Sequence, residues 1–507
     1  MALHPASEIP PHLLMWQRVR EYAVPLSMIE TATARRMAGD WAGACAAARI
    51  DVDLDLRAVR DRHGSELTTR LRADLRRLAP DLLRWHLPRI APDGRLRPGL
   101  TISLARYRSS GTTPLQLVVR TPPARADAGQ RASLALWEES GSSAPGHHPH
   151  PHPDRRFRLD LHRHLWDAGR SGELPRRCGA GGVLVPRQPG QPGQPSQPSL
   201  QGFQGLRGHP AVPEASLASA RWAAEADLLL RAEGRPRGAF TVRLGARTRA
   251  VLELLAPDDS HAPTFRPLRE ALPPQEVAAL PVLPEAAVRV LPDLELLRAG
   301  LIPADRLHPL VAAAFTAYGS AWGAYDSAPA AGRAPDPGDP HRVECRGEVH
   351  RIALRDGVLK AIDHAPAQLH REELLVALGG PALPCLRAID AVHRSPEALP
   401  AVRERLRHGD VAGALAVVEG LLGPGAVLRD GPLREELRAA AARRVEHGLF
   451  RSGLVAVHPD AGATGGAYAS GGGRTDAGHR PRLNRHTPLP TRQKLSSRAR
   501  PRTGLHR

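Results

Sequence analysis

Leucines stand at Leu67, Leu71, Leu75, Leu78 and Leu82, while Arg70, Arg72, Arg76 and Arg77 fall between them. Steps of three and four put the leucines on one helix face and the guanidinium groups on the others. Ser65 can cap this helix, and Pro88 is expected to stop it soon after Trp85 and His86. Two shorter helices precede it at 29–38 and 40–49, and IDVDLDL at 50–56 alternates like an extended link. The period then changes to two: LTISLARY (100–107), LQLVVRT (115–121) and RASLALWE (131–138) have strand length and turn residues between them. Phe157, Leu159 and Leu161, alternating with Arg158, Asp160 and His162, predict a fourth strand of one antiparallel sheet.

Farther on, an Ala/Leu helix is expected at 213–233, then a hairpin at 238–255. Helices follow at 284–299, ended by Gly300, and at 303–317. HRVECRGEVHRIALRDGVLKAI (341–362) reads as three short strands, with Arg355, Asp356 and Gly357 as a turn. The pattern is helical again from 366 to 450. The fold class is therefore α+β, with helical N- and C-terminal modules flanking antiparallel strand-rich ones. Expected units are a helical module at 1–90, a strand-rich module at 91–186 with a disordered His/Pro loop at 141–153, and a Pro/Gln/Gly linker at 187–212. A mixed helix and hairpin module follows at 213–326, then a loop at 327–340, a small antiparallel sheet at 341–365, a helical module at 366–455 and a disordered basic tail at 456–507.

Two segments 370 positions apart nearly coincide: GDWAGACAAAR (39–49) and GDVAGALAVVE (409–419) match at six of eleven places. In each, the glycine (Gly39, Gly409) can end one helix in the left-handed conformation and the aspartate (Asp40, Asp410) can cap the next. Gly43 with Ala44, and Gly413 with Ala414, leave little bulk, which predicts close approach of a neighbouring helix. These corners resemble those of helical-hairpin repeat proteins such as tetratricopeptide and ankyrin modules. That resemblance covers two hairpins and implies close-packed helix pairs with a partner-facing side.

Charge changes the picture less than its size suggests. Net charge is +18, from 70 Lys and Arg against 52 Asp and Glu, but Lys360 and Lys494 are the two lysines. Such an excess of Arg, alongside 47 Gly and 50 Pro, fits a compositional bias better than selection for phosphate contacts. Residues 459–507 carry ten basic and two acidic side chains, or +8, leaving +10 for the rest. The tail could attract nucleic acid weakly and without sequence preference.

Scarce lysine excludes a P-loop, because neither lysine follows the required glycines. Lys360 reads as a solvated strand residue. HExxH, GxSxG and a strand-to-helix GxGxxG are absent. Candidate metal ligands are His147, His148, His150, His152, His162 and His164, although prolines from Pro149 to Pro153 favour an extended segment that splays imidazoles apart. Asp51, Asp53 and Asp55 fail the EF-hand pattern, since Leu56 and Arg62 hold the places of its Gly and Glu; they predict a solvated acidic face. Cys345 with His350, and Asp363 with His364, are pairs lacking a third member. Cys45, Cys178, Cys345 and Cys385 show no paired spacing and read as reduced thiols. No secretory leader is expected from the first residues, and the apolar window at 310–325 is too short to span a membrane, so the expected location is cytoplasmic.

The expected function is accordingly noncatalytic: a protein-interaction or regulatory component that uses its helical corners, without a cofactor. The alternatives are nucleic-acid association through the tail and a metal-dependent hydrolase built on the histidines.

Overall fold

In a computed structural model, the structure describes residues 9–107, 114–138, 152–178, 216–245, 248–255, 261–268, 272–318, 342–345, 347–355, 358–394, 398–422 and 427–452. The chain is α+β. The His/Pro run at 147–150, the linker at 187–212, the loop at 327–340 and the tail at 456–507 lie outside the described residues.

The chain enters through helices Pro11–Arg18, Leu26–Met37 and Trp41–Ala47, and then strand β1 (Ile50–Asp53). Helical residues run on from Leu56 to Arg77, interrupted at Gly64, whose φ of 85° and ψ of 171° are not helical. Beyond that break Leu67, Leu71, Leu75, Leu78 and Leu82 are all buried. The single helix expected across Leu67 to Leu82 is two helices, because Leu78 and Ala79 are extended ahead of Pro80 and a second helix runs Pro80–His86. Proline clashes with a helical residue before it and has no N–H to give.

A two-stranded ribbon, β2 (Arg89–Ile90) with β3 (Arg95–Leu96), leads to β4 (Thr101–Tyr107), β5 (Leu115–Arg120) and β6 (Ala132–Glu138). The main sheet has the order β1-β6-β5-β4, antiparallel except for β1, which pairs with β6 in parallel. The expected all-antiparallel sheet with a fourth strand at 157–161 is thus corrected. That segment touches the sheet through one isolated bridge, Ser103 to Arg158, and the fourth strand is instead the segment read as a link. Alternation there reflects Phe157 and Leu159 turning into the core, a requirement that a turn-rich segment meets as well as a strand does.

The following helix is Trp222–Ala232, starting later than residue 213. A hairpin of β7 (Gly238–Arg243) and β8 (Arg249–Leu255) gains a third strand, β9 (Thr264–Pro267). Prolines split the expected helices again. Glu285–Val288 and Pro292–Arg298 stand in place of 284–299, and Ala304–Arg306 and Pro309–Tyr318 in place of 303–317.

One apolar core runs from Leu13 to Phe315 and includes both the N-terminal helices and the main sheet. Arg20 closes it: its guanidinium grips the Asp293 carboxylate at 3.0 and 2.7 Å, and Trp85 Nε1 donates to the same group at 2.9 Å. A second core joins Trp222–Ala232 to the β7–β9 sheet. The third lies under β10 (Arg342–Cys345), β11 (Glu348–Arg355) and β12 (Val358–Ala361), an antiparallel sheet in that order, and the helices after it. Those helices are Pro366–Ala377, Pro384–Arg394, Leu399–Arg407, Val411–Leu422 and Pro432–Arg451. Among the described residues no helix is long and apolar enough to cross a membrane.

Candidate functional site

The two Gly-Asp corners are built alike. Gly39 and Gly409 both have φ of 79°, the left-handed turn that a side chain would strain. Asp40 Oδ1 accepts from the Gly43 N–H at 2.8 Å and Asp410 Oδ1 from the Gly413 N–H at 3.2 Å, so each aspartate caps its helix. The remaining carboxylate oxygen takes a guanidinium from five residues earlier, Arg35 to Asp40 at 3.2 Å and Arg405 to Asp410 at 2.9 Å. This arginine, at the same place in both, lies just outside the matched window. Gly43 and Gly413 have a different role from the one expected. A side chain there would begin 2.0 Å from Asp40 Oδ2 and 2.1 Å from Asp410 Oδ2, so the glycines make room for the capping carboxylate rather than for a neighbouring helix.

What differs is occupancy. At the second corner Arg49 donates to the His408 carbonyl at 2.7 Å and to Asp410 Oδ1 at 3.0 Å, and a Gly409 side chain would meet the Gly129 carbonyl at 2.6 Å. Arg49 itself has φ of 59°, an uncommon conformation for a residue with a side chain. Tyr22 stacks on His408 with ring centres 6.4 Å apart. The last helix extends the seam: His447 Nε2 lies 3.2 Å from Asp51, and Arg451 pairs with Asp53. Among the described residues the first corner has no such cover: nothing lies within 4 Å of where a Gly39 side chain would start, Asp40 is 41 % exposed, and Met37 beside it is 79 % exposed.

Asp53 and Asp55 of the acidic run are exposed, as expected, and Asp51 is half-buried, yet each carboxylate also has a structural partner. Asp51 pairs with Arg131 and His447, Asp53 pairs with Arg451, and Asp55 caps the next helix through the Arg57 and Ala58 N–H groups. All three carboxylates are spent on structure.

Of the expected metal ligands, His147, His148 and His150 lie outside the described residues. His152 is exposed and its ring lies 6.2 Å from Trp137. His162 and His164 are buried edge to face at 5.7 Å, and His162 Nε2 lies 3.2 Å from Glu225, which Arg177 and Arg221 also hold. Burial and the neighbouring His162 keep His164 neutral, well below the ordinary imidazole range. These two rings serve the junction with the helix Trp222–Ala232. Among the described residues the group of three that could hold an ion is Cys345, His364 and Cys385 instead. From the sequence, Cys345 and His364 stand in separate pairs and Cys385 reads as a lone reduced thiol, since only folding brings a strand end, a post-strand residue and a helix start together. Lys360 is exposed on β12.

A cavity of about 380 Å³ opens between the Pro11–Arg18 helix, the segment 156–165 and residues 284–292. Arg89, Arg97 and Arg156 contribute to its wall, and the Nε of each is buried without a partner. Burial lowers Arg89 to about 9, with Arg20 and Arg49 adding repulsion. Glu285 and Glu295 are the acids on the wall.

Comparison with protein-family models, curated proteins and solved structures finds no match.

Proposed function

We propose that this protein is a noncatalytic interaction component whose first Gly-Asp corner receives an arginine-bearing segment of a partner protein. The observation that carries this reading is the contrast between two like-built corners. The chain's own body covers one through Arg49, and the other presents the same carboxylate and left-handed glycine to solvent beside exposed Met37. An arginine reaching Asp40 would find the partner that Asp410 gives Arg49, and a fork of N–H donors suits a carboxylate. A photo-crosslinking residue at Met37 in the full chain tests the idea. A single partner peptide cross-linked at that position, lost in Asp40→Ala but kept in Asp61→Ala, is the expected result. Cross-links that are absent, or unaffected by Asp40→Ala, would overturn it.

A second reading rests on the cavity. Its volume lies within the range of small-ligand sites, and its wall includes Arg89, Arg97 and Arg156, each with a buried, unpaired Nε, which favours an acidic small molecule. Thermal stabilisation by dicarboxylates or phosphate esters, abolished in Arg97→Ala, would support it. Identical shifts in the variant would remove it.

A further inference from the structure

Cys345 ends β10, His364 follows β12 by three positions, and Cys385 is the second residue of the helix Pro384–Arg394. All three are buried, and one ligand atom from each lies within 4.8 Å of the other two. Both cysteines are free thiols. The His364 ring stacks on His350, centres 4.0 Å apart and planes 10° apart. His364 Nε2 and His350 Nδ1 are both buried without a hydrogen-bond partner.

An apolar core has no reason to gather these groups. Two imidazole nitrogens buried without partners are destabilising, and a Leu or Val in their place would cost nothing of the kind. Asp363 does not satisfy them, since its carboxylate is taken by the Arg351 guanidinium and N–H. A divalent ion would use both thiols and an unpaired His364 nitrogen. Around tetrahedral zinc, with bonds of about 2.3 Å to sulfur and about 2.0 Å to nitrogen, neighbouring ligand atoms stand roughly 3.5–3.8 Å apart. The observed cluster needs to tighten by little more than an ångström.

We infer that Cys345, Cys385 and His364 bind one zinc-class divalent ion, with the His350 ring stacked beside the His364 ligand. Two thiolates cancel the charge of the ion, so the assembled site is neutral and can stay buried, as closed structural sites are. The ion ties the β10–β12 sheet to the helix Pro384–Arg394 inside the third core. The same core supports the helices Leu399–Arg407 and Val411–Leu422 that form the second corner, so the ion would secure the element that docks on Arg49.

The test uses the full chain purified without a tag. Elemental analysis is expected to give about one zinc per chain. Titration of chelator-treated protein with cobalt(II) is expected to give a thiolate-to-cobalt charge-transfer band and the visible bands of tetrahedral cobalt. Cys345→Ser and Cys385→Ser lose the charge-transfer band, whereas Cys45→Ser and Cys178→Ser keep it; His350→Ala weakens cobalt binding roughly 10- to 100-fold, on the scale of other changes to a metal's surroundings. If the variants fail to fold, wild-type protein still decides, because zinc should slow alkylation of Cys345 and Cys385 by at least tenfold relative to the stripped chain. Cobalt spectra without a charge-transfer band, or alkylation rates unaffected by zinc, would overturn the site.

Discussion

Arg49 donates to the Asp410 carboxylate at 3.0 Å across 361 positions of sequence. The pair is 14 % and 5 % exposed, so it joins the C-terminal helices to the N-terminal body with little water in between. Burial lowers Arg49 to about 10 even though Asp410 opposes the shift. Asp410 therefore has two duties, capping its helix and neutralising a cation that the seam encloses.

Those duties can be separated by substitution. Asp410→Ala removes the cap and strands Arg49, and should cost about 3 kcal/mol in denaturant unfolding. Asp410→Asn keeps a good cap and loses only the charge, so it should cost less. Asp40→Ala at the exposed corner should cost about 1 kcal/mol. Equal losses for Asp40→Ala and Asp410→Ala would contradict the docked arrangement.

Glycine substitutions give a second, steric comparison. Gly43→Ala and Gly413→Ala each push the capping carboxylate aside, and should cost about 1–2 kcal/mol in thermal or denaturant melts. Gly409→Ala should be worse than Gly39→Ala, because both strain a left-handed residue but only the former strikes the Gly129 carbonyl.

Asp293→Ala should be the most damaging of these changes. It leaves the Arg20 guanidinium and the Trp85 N–H in a site where Arg20 and Asp293 side chains are 1 % and 0 % exposed. A loss of about 3–5 kcal/mol is expected, read from the denaturation midpoint. Replacing both partners together, as in Arg20→Met with Asp293→Leu, should recover much of it.

Stability should fall as pH drops below about 6.5, the ordinary imidazole value. Burial, with repulsion from Arg89, Arg84, Arg95 and Arg49, lowers His408 to about 3, and burial lowers His86 to about 4. The folded chain keeps both neutral where the unfolded chain takes up protons. Each therefore adds up to about 1.4 kcal/mol of loss per pH unit, until its folded value is reached. His408→Gln should flatten the slope between pH 6 and pH 5 by about that amount. Carboxylates act lower. Burial pushes Asp51 and Glu225 up, but hydrogen bonds from His447 and Arg131, and from His162 and Arg177, hold them below the usual range. Their contribution is present above about pH 4.5 and is lost only as pH falls through their folded values, so the window chosen isolates histidine.

Local physics made much of the architecture legible. Leu67, Leu71 and Leu75 announce a helix face, and Phe240 and Val242 a strand, because each pattern repeats within one element. Gly39 with Asp40, and Gly409 with Asp410, specify a helix-to-helix corner from two adjacent residues. Helix lengths were over-read where Pro80, Pro292 and Pro309 sit inside an apolar pattern, because the pattern reports which face is buried and not where the backbone breaks.

Tertiary structure alone decided the parallel pairing of β1 with β6, the docking of one corner and not the other, and the meeting of Cys345, His364 and Cys385. In each case the partners are far apart in sequence, and no local period records them. A side chain's neighbours across space depend on how whole elements pack. Sequence therefore set the character of each piece of this chain, while the folded arrangement chose which carboxylate meets Arg49 and which thiols share one imidazole.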